Sequence, residues 1–273
     1  MKKKHVITAV AAIGASAILL TGAFANGKAD TSASKIHNNT LFQYSTINAL
    51  MKGQFDGEMT LGEVKKHGDT GLGTFNAVNG ELTLIDGKFY RFDYEGHFEE
   101  VKLDEKTPFV AATYFSPEKT IEVSNVTQIS DLTAQLSASM DKKNNFYAFK
   151  VHGTFSYLKV RSEEAQEKPY PTLPEVLAHQ SEFEYENVTG TMIAFYTPNY
   201  AAMFNVPGFH FHFVSDDRTI GGHILNAKLF KGVAQVDSIS NLDVSLPQTE
   251  EFANADLTTV TPEEIEAVET DSK

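Results

Sequence analysis

The chain has 273 residues, a formal charge of −13 and no cysteine. That length can bury a sizeable core, as one large domain or two small ones. The acidity argues against nucleic acid and anionic membrane as partners, and the lack of thiols excludes disulfides, a lipoprotein anchor and soft thiolate metal sites.

Lys2, Lys3 and Lys4 precede an apolar run from Val6 to Leu20, and Ala23-Phe24-Ala25 offers small residues for cleavage. This order is that of a secretory signal peptide over residues 1–25. The run is short for a membrane span, and no second run approaches that length. An exported chain without disulfides, held by its core alone, fits a bacterial exoprotein; no membrane association is expected after cleavage. Cleavage removes three lysines and no acid, so the mature surface is more acidic still. An anionic substrate then needs a local positive charge, from a metal or an arginine. Residues 26–39 are polar and aperiodic and read as a flexible leader.

Leu41 to Met51 has apolar residues at helical spacing. Asn79-Gly80 and Asp86-Gly87 are two-residue hairpin signals, and Glu95-Gly96 looks like a third turn. Thr74 to Val101 is therefore expected to form three or four antiparallel strands. Further strands are expected at Phe109–Tyr114, Thr120–Val123 and Phe146–Val160, with a helix at Ile129–Met140. Glu163 to Val176 is charged and proline-rich and reads as a connection, ending in a short helix through Ala178. Strands follow at Ser181–Tyr196, Gly208–Val214, His223–Phe230 and Val233–Ile239. The segment from Leu246 is strongly acidic, but Pro262-Glu263-Glu264 resembles the first turn of a short helix. The pattern is α+β, dominated by mixed or antiparallel sheet with few helices and ending in a C-terminal tail. The expected division is 40–165, β-rich; 166–246, metal-binding; and 247–273, the tail.

Three of the nine histidines lie within "GFHFHFVSDDRTIGGHIL", Gly208 to Leu225. Side chains alternate along a strand, so His210 and His212 share one face and the phenylalanines take the other. "SDDRTIGG" supplies a turn that can bring His223 beside the pair. Three neutral imidazoles suit Zn²⁺, and three protein ligands leave the open position of a catalytic site. The competing view is three unrelated polar residues on a solvated face. H-x-H also occurs in cupins, although no cupin-type glutamate follows closely here, so the motif indicates metal without naming a reaction.

Together with "GTFNAVNGELTLIDGKFY", the histidine hairpin resembles the bacterial acetolactate decarboxylase family. The resemblance continues through "LFQYSTINALMKGQFDG" and "FYAFKVHGTFSYLKVRS" and covers Leu41 to Leu246. It implies zinc-dependent decarboxylation of (S)-2-acetolactate to (R)-acetoin and CO₂ through a metal-stabilised enediolate. It also implies two domains packed together, with the metal on the second, and a secreted homodimer whose tail folds back towards the active site. Carried over by motif, the metal ligands are His210, His212 and His223, and the catalytic residues are Glu81, Arg161 and Glu269. Glu266 competes with Glu269 for the tail position. Arg161 and Thr74 are the residues implied at the substrate.

Position alone reads these residues differently. Glu81 follows a tight turn, where acids are usually solvated, and Glu269 sits in an acidic tail. Arg161 shares alternation parity with Tyr147, Phe149, Phe155 and Tyr157, which puts a cation on an apolar face. A bulge at Gly153 would reset that parity, and Lys159 shares it too. No role is expected for His5, His37, His67, His97, His152 or His179. Two alternatives remain: a cupin-like metal-dependent oxidoreductase or hydrolase, and a non-enzymatic extracellular metal-binding module.

Overall fold

The computed structural model describes residues 39–269. The signal segment 1–25, and the leader apart from Asn39, lie outside the described residues. Among the described residues no helix is long and apolar enough to cross a membrane.

The fold is α+β, as the sequence pattern implies. The strands are β1 (Thr40–Tyr44), β2 (Met59–Thr60), β3 (Thr70–Thr74), β4 (Glu81–Ile85), β5 (Lys88–Phe92), β6 (Phe98–Glu100), β7 (Lys106–Thr107) and β8 (Phe109–Thr113). They continue as β9 (Lys119–Val126), β10 (Phe146–Ser162), β11 (Ser181–Tyr185), β12 (Val188–Thr197), β13 (Gly208–Ser215), β14 (Gly221–Ile239) and β15 (Asn241–Ser245). The helices are short: α1 (Ile47–Met51), α2 (Leu61–Val64), α3 (Ile129–Ala138), α4 (Leu173–Leu177), α5 (Glu250–Asn254) and α6 (Pro262–Glu269).

One sheet runs in the order β15-β1-β8-β3-β4-β5-β6. The second runs β11-β10-β12-β13-β14-β9, and β10 also pairs with β14. Strands β10, β12, β13 and β14 therefore close into a circuit. Its inner face holds Phe149, Phe155, Met192, Phe211, Phe213 and Leu229, and α3 adds Leu132 and Leu136. Phe149, Phe155 and Phe213 are fully buried, each contributing roughly 1.5–3 kcal/mol by burial. Between the sheets, Leu41, Leu72, Ile85 and Tyr90 meet Ala148, Ile193, Phe195 and Ile239. The far face of the first sheet carries Phe42, Leu82, Leu84 and Val110, covered by Leu61 and Val64 of α2.

The β4–β5 hairpin follows its sequence signal. Asp86 and Gly87 both take positive φ, 52° and 75°, the backbone a two-residue turn of this hand requires. Asn79-Gly80 does not behave this way. Asn79 has φ −77°, so only Gly80 is left-handed, and a longer connection with a 3₁₀ turn at Asn76–Val78 joins β3 to β4. Leu41–Met51 also departs from its helical spacing. Its first part is β1, which pairs with β8 and with the distant β15. Helix α1 begins only after Ser45 (φ 65°), where the Thr46 hydroxyl accepts from the Ala49 amide at 3.2 Å. The two strands expected at His223–Phe230 and Val233–Ile239 are one continuous β14.

The sheets do not divide the chain at residue 165. Strands β9 and β10 precede it yet build the second sheet, while β15 returns to the first by parallel pairing with β1. Long-range strand pairing decides sheet membership here, and no linker composition signals it.

Candidate metal centre and active site

Strand β13 turns Phe211 and Phe213 into the core of the closed circuit. His210 and His212 take the opposite face, towards the first sheet, and are buried. The β13–β14 hairpin pairs His212 directly with His223. Ring centroids lie 5.1 Å apart for His210–His212, 4.9 Å for His210–His223 and 5.5 Å for His212–His223. Gly222 makes the approach possible: its φ is +120°, and a Cβ there would lie 2.9 Å from the Arg161 carbonyl oxygen.

Strand β4 fixes one imidazole from the first sheet. His212 Nδ1 lies 2.8 Å from the Leu82 carbonyl oxygen and 3.3 Å from Thr83 Oγ1. A carbonyl only accepts, so Nδ1 carries the proton and Nε2 keeps its lone pair. His210 Nδ1 and His212 Nε2 are buried without a hydrogen-bond partner. His212 Nε2 does lie 3.1 Å from Glu81 Oε2, but this approach does not satisfy hydrogen-bond geometry. His210 Nε2 and His223 Nδ1 are 3.1 Å apart. Burial lowers the pKa of His212 to about 4 and holds His210 and His223 well below the usual histidine range. Neutral imidazole is the form that binds a metal. One donor atom from each ring lies within 4.8 Å of the other two, so the residues fit a cation.

Arg161 enters from β10, where it pairs with His223 on one side and Glu182 on the other. Three register shifts lie between Gly153 and Val160. They flip the alternation, so that Leu158 and Val160 fill the core after Phe155. Arg161 therefore leaves the aromatic face and joins the histidines. Its Nε lies 3.9 Å from Glu81 and 3.5 Å from Glu163, and its Nη2 lies 3.5 Å from Glu269. Its Nη1 donates to the Val268 carbonyl.

Glu81, the first residue of β4, is 6 % exposed. Burial pushes its carboxyl up to about 7, against the pull of Arg161. Glu163, which sequence reasoning assigned to a charged connection, is also buried. Burial, and then the neighbouring Glu81 charge, raise its pKa well above the usual range. The available signal was its spacing two residues after Arg161, but the strand was expected to have ended.

Glu269 arrives on α6. Thr261 and Glu264 cap that helix reciprocally, at 2.8 and 3.2 Å. Ile265 and Val268 pack against Ile47, Leu50 and Val176. This leaves Glu266 exposed and Glu269 buried, with Glu269 Oε2 3.6 Å from His223 Nε2 and 3.7 Å from His210 Nε2. Burial raises the Glu269 pKa. The Glu269 carbonyl lies 3.1 Å from His223 Nε2. Thr74 donates its hydroxyl to the Gly80 carbonyl at 2.8 Å. A small cavity of about 30 Å³ brings together Thr74, Glu81, Arg161, Glu163, Glu269, His210 and His223 on one side. Ile47, Leu50, Val78, Phe109, Leu173 and Leu177 line the other. The remaining described histidines are elsewhere: His67 stacks on Phe42, His97 contacts Asp93, His152 contacts Asp216, and His179 is exposed just after α4.

A family model described as alpha-acetolactate decarboxylase matches residues 41–259. The chain belongs to the alpha-acetolactate decarboxylase family. An alpha-acetolactate decarboxylase of Brevibacillus brevis is 43 % identical, covering 99 % of this chain and all of that protein. One from Methanosarcina mazei is 40 % identical over 85 % of this chain and 81 % of its own length. The crystal structure of the Bacillus subtilis strain 168 enzyme superposes with a TM-score of 0.82 at 34 % identity, covering 85 % of this chain and all of that one. The family match contains the histidine hairpin, Glu81, Arg161 and Glu163, and ends before α6.

Proposed function

We propose that this chain decarboxylates (S)-2-acetolactate to (R)-acetoin and CO₂, with zinc as its resident metal. The observation that carries this reading is a cavity lined by His210, His223, Arg161 and three buried carboxyls, with the third buried imidazole, His212, against Glu81 beside it. His210, His212 and His223 would hold the ion. When bound, it supplies a Lewis acid for charge developing on substrate oxygens. An all-imidazole donor set with no cysteine suits zinc.

Acetolactate carries a carboxylate and a hydroxyl on the carbon next to a ketone. Loss of CO₂ leaves an electron pair that passes to the ketone oxygen, giving an enediolate. Arg161 holds the departing carboxylate, and its planar fork suits that task. A proton must then reach the former carboxylate-bearing carbon from one face. Glu81, with a pKa of about 7, can carry and release a proton near neutrality. Glu269 faces the same space from α6 and is the second candidate. The Thr74 oxygen, whose proton is committed to Gly80, can accept from a substrate hydroxyl. The proposal includes export through residues 1–25, supported by their basic, apolar and small-residue order. It also includes a homodimer, supported by the resemblance.

Purified metal-replete protein is expected to convert racemic acetolactate to acetoin without oxygen. EDTA should abolish turnover and zinc should restore it, with one zinc per chain by metal analysis. No acetoin from metal-replete protein would overturn the proposal.

Truncation after Ala255 removes α6 and with it Glu269 and the Val268 carbonyl. Turnover is expected to vanish while the far-ultraviolet circular dichroism stays that of the folded protein. Full activity in the truncated enzyme would return Glu269 to a merely structural place.

A further inference from the structure

The mechanism above uses one wall of the cavity and leaves the other unexplained. That second wall is apolar. Leu50 comes from α1, Leu173 and Leu177 from α4, and Val78 from the β3–β4 connection. Its parts are held firmly. Thr172 caps α4, with its amide and hydroxyl donating to Glu175 at 2.8 and 2.7 Å. Val78 sits at φ 47°, a costly conformation for a β-branched residue. The neighbouring Ala77 is tied by its amide to the Phe55 carbonyl and by its carbonyl to the Gln166 amide, both at 2.8 Å. Helix α4 places Leu173, Val176 and Leu177 in one buried stripe. Leu173 and Leu177 line the cavity, and Val176 packs in the same core without lining it.

We propose that Leu173 and Leu177, with Leu50, form the pocket for the alkyl group on the substrate's hydroxyl-bearing carbon and set the largest group accepted. The inference rests on the acetolactate reading. That carbon bears a hydroxyl, a carboxylate, an acyl group and an alkyl group. The hydroxyl, the carboxylate and the oxygen of the acyl group are polar and find partners on the wall of acids, imidazoles and Arg161. The alkyl group finds none there, and its burial is favourable only against the leucines. Shortening a leucine on this wall opens room along the alkyl direction and leaves the polar wall untouched.

The test compares kcat/KM for 2-acetolactate and for its 2-ethyl homologue, using zinc-loaded full-length enzyme. Leu173→Ala and Leu177→Ala are expected to raise the ethyl-to-methyl ratio roughly 10-fold or more, the discrimination carried by one methylene in an apolar pocket. Leu177→Val should raise it less, and Leu177→Phe should lower it. Val176→Ala loses packing in the same core and should leave the ratio unchanged, which separates pocket shape from general loosening. Wild-type ratios in folded variants that still consume acetolactate would overturn the proposal. If the alanine variants fail to fold, Leu177→Val and Leu177→Phe decide it by the same ratio. A wild-type enzyme that yields no acetoin at all would instead remove the reading of the reaction.

Discussion

His212→Ala is expected to remove metal and turnover together. His212 is the most deeply buried of the three imidazoles, and its Nδ1–H is committed to the Leu82 carbonyl. Its loss takes away one of three donors and the electrostatic stabilisation the ion supplies, so turnover should fall by at least ~10³-fold. Metal analysis after dialysis should find less than one ion per chain. The variant also strands the Leu82 carbonyl, a cost of about 1–3 kcal/mol. Its melting point should therefore drop even when compared with metal-free wild type. Retained metal with wild-type turnover would show that the triad is not the metal centre.

Arg161→Ala is expected to do the reverse for the metal: turnover collapses while the ion stays bound. The guanidinium touches Glu81, Glu163, Glu269 and the Val268 carbonyl at once, but it donates to none of the imidazoles. Removing it should cost roughly 10²–10³-fold in kcat/KM, the scale for one preorganised charged donor. Arg161→Lys keeps the charge and loses the fork, so it should fall between wild type and alanine. Part of any loss comes from three buried acids left without their cation. Melting curves and metal content therefore accompany the kinetics. Wild-type kcat/KM in a folded Arg161→Ala enzyme would exclude its role at the substrate.

Much of the histidine cluster was legible because it depends on local rules. Alternation in Phe209–Phe213 put two imidazoles on one face, and a turn-rich segment brought His223 to the register that pairs it with His212. Asp86-Gly87 was legible for the same reason. Arg161 was not, because three register shifts upstream reverse which side of β10 it faces. Glu163 was hidden by charge, since an acid at the start of an acidic connection looks solvated. Glu269 is buried only because Ile265 and Val268 dock α6 onto α1 and α4, a contact that eight residues of helix do not announce. Strand β1 was masked by helical spacing, and its pairing with β15 comes from the far end of the chain.

The closed circuit of β10, β12, β13 and β14 divides the site by how each part can move. A strand in a closed ring cannot slide by one residue without breaking its pairing on both flanks. The spacing of His210, His212, His223 and Arg161 is therefore locked by the ring. Glu269 alone among the site acids is carried by a helix, α6, outside that ring. Amide hydrogen exchange should rank the molecule accordingly, slowest at the centre of β10 and β13 and fastest at α6.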